Sequence, residues 1–136
     1  MIESLHKCEA RENAVLTGYL HKYANVDPSD PYSETHFFDR PARQFSHGDW
    51  SEDGMPVFSA RSIEMNGDKL SRPFETVLAS AHFTFSHGHL AKVASHDPAL
   101  ENLFGWEELW MAYTYWKKGF TLYIPISNVV YYSYLD

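Results

Sequence analysis

Strand-like and helix-like segments that alternate along the chain predict a single α/β domain with a mixed sheet. Three observations carry the prediction. A short apolar run, Ala14-Val15-Leu16-Thr17-Gly18-Tyr19-Leu20, reads as a buried strand. Residues 107–118 carry a helical stripe with matching end signals, and two further strand-like runs follow it. The length of 136 residues matches one domain of about 100 to 150 residues, and a hydrophobic fraction of 44% is enough to pack one core and to argue against global disorder.

Taken in order, residues 2–11 predict a short helix, with Ile2, Leu5 and Cys8 at three-residue spacing. The strand at 14–20 follows. From Asn25 to Asp53 the chain turns polar and is punctuated by Pro28, Pro31 and Pro41, which predicts a long loop, read either as a lid over a site or as a surface excursion. Strand character returns at 56–63, and Asn66-Gly67-Asp68 offers a hairpin turn before Lys69-Leu70. Residues 76–85 predict another strand and 88–94 a short helix.

The clearest helix spans Glu107 to Lys118. Leu109, Ala112, Tyr113 and Trp116 fall at i, i+3, i+4 and i+7, one face of the helix. Glu107 and Glu108 suit the positive end of its macrodipole and Lys117 and Lys118 the negative end, while Gly119 can take the left-handed cap. Phe120–Ile124 is then a strand stopped by Pro125, and Val129–Tyr134 a last aromatic strand.

Composition narrows the functional classes. The formal net charge of −7 disfavours nucleic acid as a partner, because a phosphate backbone calls for a basic stripe. No run of eighteen apolar residues predicts a membrane span. The N-terminal residues are too polar for a secretory signal, and the single Cys8 suits a reducing compartment, so a cytoplasmic location is expected. An aromatic share of 16% fits a sugar-binding or protein-binding cleft as well as a packed core.

The most informative pieces are Ser80-Ala81-His82-Phe83, His96-Asp97-Pro98, Trp106-Glu107-Glu108 and Val130-Tyr131-Tyr132, preceded by Asn13-Ala14-Val15-Leu16-Thr17-Gly18-Tyr19-Leu20. Their order resembles the distal half of the polypeptide or hydroxyproline alpha-N-acetylglucosaminyltransferases and, more distantly, the mucin-type N-acetylgalactosaminyltransferases. In the former family a small-residue strand with aromatics precedes a Tyr-Asp-Pro segment, then Gly-Glu-Glu opening a helix, then a strand ending near a histidine. The likeness covers nearly the whole chain. Its specificity lies in the ordered set, since paired glutamates at a helix start are ordinary.

That resemblance implies the C-terminal part of a GT-A type (nucleotide-diphospho-sugar transferase) fold. It also implies transfer of N-acetylglucosamine or a related sugar from a UDP-sugar donor to a protein or glycan hydroxyl, with retention, as part of a larger enzyme. Positive charge then develops on the sugar and negative charge on the departing diphosphate, so carboxylates near the sugar stabilise the transition state. The resemblance gives that role to Glu107 and Glu108, and lines the sugar pocket with His82, Phe83, Asp97 and Trp106. On the residues alone, the two glutamates are equally helix-start acids, Trp106 a packing residue and Asp97 a turn former. Arg40, Arg43, Arg61 and Arg72 could each reach a diphosphate, but nothing in the sequence selects one.

The chain departs from the family at the metal. A complete family enzyme is expected to use Mn2+ or Mg2+ gripped by an Asp-x-Asp motif, and none is present; Asp27-Pro28-Ser29-Asp30 has the wrong spacing. Tyr132 stands at the position of the family's late histidine, and a phenol with a pKa of about 10 is a poor ligand. The chain therefore reads as one partial domain over 1–136 without the Asp-x-Asp half: a fragment completed by an N-terminal half or a second copy, or a degenerate relative. Either way the isolated chain is expected to be inactive, with a parallel sheet edge and an apolar helix-binding face left open. Two rivals stand beside this reading: a non-catalytic glycan- or protein-binding module, and a metal site built from His82, His87 and His89 with His96, whose spacing matches no zinc pattern.

Overall fold

A computed structural model describes residues 1–22, 43–52, 54, 56–62, 72–95, 97–99, 106–126 and 130–132; at 21–22, 43–48, 60–62 and 131–132 the description is of backbone alone. The elements are α1 (Ile2–His6), a 3-10 turn (Arg11–Asn13), β1 (Ala14–Thr17), β2 (His21–Lys22), β3 (Arg43–Trp50), β4 (Pro56–Ser62), β5 (Phe74–Thr76), β6 (Thr84–Ser86), α2 (Leu90–Val93), α3 (Glu107–Lys117), β7 (Thr121–Ile124) and β8 (Tyr131–Tyr132). The α/β class with a mixed sheet is as the sequence predicts.

The principal sheet has the order β5-β7-β1-β6. Within it β1 pairs parallel to β7 and antiparallel to β6, and β5 pairs antiparallel to β7. Among the described residues the parallel pair is thus interior to this sheet, and both of its edges belong to antiparallel strands. All four residues of β1 are buried, because helices cover both faces of the sheet. Val15 and Leu122 point to one face, into a cluster with Leu90, Ala94, Met111, Ala112, Tyr115 and Phe120; Ala14, Leu16 and Tyr123 point to the other, with Leu5 and Cys8. The two-residue alternation of strand side chains divides the core into these halves.

Several boundaries differ from expectation. The first helix stops at His6, and a separate 3-10 turn follows in which Arg11 takes φ 49°, a left-handed setting that a continuous helix cannot contain. Within the loop expected over 25–53, residues 43–50 form β3, paired antiparallel with β4 around an irregularity between His47 and Asp49. No proline lies between Pro41 and Pro56, so the punctuation ends before this strand begins. Residues 23–42 lie outside the described residues, as do the turn at 66–68 and the strand at 69–70; the strand partner found for β4 is upstream.

The strand expected at 76–85 is two strands, β5 and β6, on opposite edges of the sheet. Between them Ala79 and Ser80 are buried in a turn closed by the Ser80–Phe83 bridge. This turn is tied to β1: the Thr17 hydroxyl accepts the Ser80 amide at 2.7 Å and donates to the Phe83 carbonyl at 3.0 Å. Satisfying those backbone groups from a buried threonine lets an apolar run leave the sheet.

Helix α3 ends as its sequence predicts. Gly119 takes φ 83°, with the Phe120 amide bonded to the Tyr115 carbonyl and the Gly119 amide to that of Trp116, a Schellman closure. Its rotation is different. Met111, Ala112 and Tyr115 are buried against the sheet, whereas Tyr113 and Trp116 of the expected stripe are exposed, Trp116 by 72%. The helix carries apolar side chains around most of its circumference, so periodicity does not single out a face. The second apolar face, with Trp106, Leu109, Trp110, Tyr113 and Trp116, walls an open cleft of about 990 Å3 whose other side is Glu75–Val77 and Phe120–Leu122.

Candidate functional site

The site begins at the head of α3. A helix start leaves amide groups without intrahelical partners and favours negative charge, so Glu107 and Glu108 are electrostatically suited to this turn. Glu108 does not point to solvent; its side chain is only 14% exposed. Its Oε1 accepts the backbone N–H of Ala81 at 3.0 Å and lies 3.9 Å from His82 Nδ1. Burial pushes the Glu108 carboxyl above its ordinary value, opposed by the Ala81 hydrogen bond and by His82. In Glu107, Oε2 is buried and has no hydrogen-bond partner among the described residues. Such an orphan is uncommon in folded proteins, and leaving a buried polar group unpaired costs about 1–3 kcal/mol, more for a charged one.

Facing the helix head is the turn after β5. The His82 amide donates to the Ser80 hydroxyl at 3.2 Å, and the His82 ring meets Tyr19 edge-on at 5.0 Å. Phe83 is half-buried and packs against the cluster of Leu5, Cys8, Ala14, Leu16 and Tyr123. Of the residues singled out in the sequence, Glu108 and His82 are thus brought together, with Glu107 beside them in the same helical turn and Phe83 supporting the turn from the core.

The others have surroundings of their own. Trp106 precedes the first helical turn and lines the apolar cleft with Leu109 and Trp110. Asp97 is exposed and its Oδ1 accepts the Ala99 amide at 2.9 Å, a local turn of the kind Asp-Pro sequences favour. Tyr132 lies in β8, where its backbone is in register with Lys22. Three contributors, Ala81, Thr17 and Tyr19, stand inside the quoted sequence pieces but were given no role of their own. A buried hydroxyl inside the apolar run 14–20 is a signal that could have marked Thr17.

Among the described residues the histidines do not form a metal-holding cluster. The rings of His87 and His89 are neighbours at 6.4 Å, but His89 packs on Phe120 and its Nε2 is 3.4 Å from Asn13 Oδ1, while His82 faces Glu108. His96 lies outside the described residues. Among the described residues no group of three or more His, Cys, Asp or Glu side chains is placed to hold a metal ion. Likewise no helix among them is long and apolar enough to cross a membrane.

The mixed-sheet α/β domain thus sets a mostly buried Glu108 carboxylate at the head of α3 against the turn at 80–83, with Glu107 next to it in the chain. The chain belongs to the glycosyltransferase (GlcNAc) family, whose family model matches residues 1–135. No curated protein and no solved structure matches the chain.

Proposed function

We propose that the chain is the sugar-facing part of a retaining N-acetylglucosaminyltransferase of the polypeptide or hydroxyproline type, working with a UDP-sugar donor and a protein or glycan hydroxyl. Glu107 supplies negative charge beside the sugar, where positive charge grows as its bond to the diphosphate breaks, and Glu108 stands next to it at the head of α3. His82 borders the same space. The divalent cation and the carboxylates that grip it come from another segment, since this sequence has no Asp-x-Asp and the described residues offer no metal cluster.

The observation that carries the reading is the orphaned Oε2 of Glu107. A buried carboxylate oxygen without a donor is what a site for a hydroxyl-rich ligand looks like before the ligand arrives. Family membership makes a sugar the natural ligand. The rival reading, a non-catalytic glycan or protein binder, draws support from the apolar cleft along α3.

Calorimetric titration of the 136-residue chain tests the reading. Binding of N-acetylglucosamine that weakens by roughly tenfold in Glu107→Gln is expected, the loss of about one charge-assisted hydrogen bond, with no transfer from UDP-N-acetylglucosamine by this chain alone. Turnover by the isolated chain would refute the divided site. Binding of an acceptor peptide without any sugar binding would favour the rival.

A further inference from the structure

We propose that Glu108 is a positioning residue and that the two carboxylates of the pair have different jobs; this rests on the sugar-site reading above. Glu108 Oε1 is already engaged, held by the Ala81 N–H at 3.0 Å with His82 Nδ1 3.9 Å away. Its side chain is mostly buried, and it joins two parts of the chain that are 27 residues apart. Glu107 differs in kind, because its buried oxygen has no partner among the described residues.

The turn that Glu108 fastens is otherwise held from below. Thr17 grips the Ser80 amide and the Phe83 carbonyl, and the Ser80 hydroxyl accepts the His82 amide. Those bonds hold Ser80, Phe83 and the His82 amide; the Ala81 amide, the other one at the tip, is held by Glu108. Losing that bond leaves the N–H of the Ser80–Ala81 peptide, one residue before His82, without its acceptor and frees that peptide to turn. Glu108 therefore sets where His82 stands, and Glu107 is the group that meets a sugar hydroxyl or acetamido N–H. An acceptor oxygen is all the anchor needs, so a neutral amide suffices at 108, whereas a direct contact to a charged sugar transition state requires the carboxylate at 107.

The test uses the 136-residue chain with nitrogen-15 labelling and N-acetylglucosamine as the probe. Glu108→Gln, which keeps an acceptor oxygen, is expected to leave the Ala81 amide resonance and the sugar affinity close to wild type. Glu108→Ala is expected to move the Ala81 and His82 amides and weaken the sugar by roughly tenfold, one hydrogen bond's worth. Glu107→Gln is expected to weaken the sugar while leaving the Ala81 amide in place. Should Glu108→Gln weaken binding as much as Glu108→Ala with the Ala81 amide unmoved, Glu108 is a direct contact and the proposal is wrong. An Ala81 amide indifferent to Glu108→Ala also overturns it. If wild type binds no sugar but the Ala81 amide follows the acceptor at 108, the anchor stands and the sugar reading fails, so the two failures are distinguishable.

Discussion

Glu108 and Ala81 are joined across 27 residues by a 3.0 Å hydrogen bond from the Ala81 amide to the Glu108 carboxylate, which couples the head of α3 to the turn carrying His82. Burial is the largest influence on that carboxyl and raises its pKa from 4.5. A raised acid favours the protonated form in the fold, so its contribution is fully present below the ordinary value and is lost as pH climbs through the raised one.

Glu108→Gln stays neutral and escapes that loss. The urea midpoint of the variant, relative to wild type, is therefore expected to improve between pH 4 and pH 7. A relative decline over the same interval would mean that His82 and the Ala81 bond outweigh desolvation.

The rotation of α3 predicts an asymmetry between neighbours. Met111→Ala, cutting into the cluster with Val15 and Leu122, is expected to cost about 2–5 kcal/mol. Trp116→Ala, at 72% exposure, should stay within about 0.5 kcal/mol. Chemical denaturation of both decides it; a larger loss at Trp116 would restore the Leu109-Ala112-Tyr113-Trp116 stripe as the core face.

Gly119 has open space around a would-be Cβ but a φ of 83°. Gly119→Ala is thus expected to destabilise by about 1–2 kcal/mol through backbone strain alone. No loss on thermal unfolding would contradict the left-handed cap.

Burial pushes the Cys8 thiol up to about 11, and the sulfur donates to the Ser4 carbonyl. In the folded chain iodoacetamide at pH 8 is expected to label Cys8 far more slowly than in urea, since the thiolate is the reacting form. Between about pH 9 and 11 the unfolded thiol ionises first, and stability should fall across that window. Equal labelling rates in the two states would place Cys8 at the surface.

What the sequence reveals follows from how local each signal is. The end signals of α3 and its Gly119 closure involve residues within one turn, and they are found where the pattern places them. The α/β class and the buried strand expected at 14–20, which the fold ends at Thr17, rest on short-range composition and are equally legible. The helix rotation is not, because a helix with tryptophan and tyrosine on two sides has two candidate core faces, and only the sheet decides between them. The split of 76–85 depends on Thr17, more than sixty residues upstream. At the site, Glu108 and His82 were both marked by residue type and order, yet the bond between Ala81 and Glu108 has no sequence signature. Asp97 and Trp106 were marked by the same order and stand elsewhere, one in its own turn and one in the cleft.

The most direct test of the account is a map of amide and indole shifts as N-acetylglucosamine is added to the labelled chain. The account predicts that Ala81, His82, Glu107 and Glu108 move together while the indoles of Trp110 and Trp116 stay still. Movement of those indoles with Ala81–Glu108 unchanged would put the sugar in the apolar cleft and contradict it.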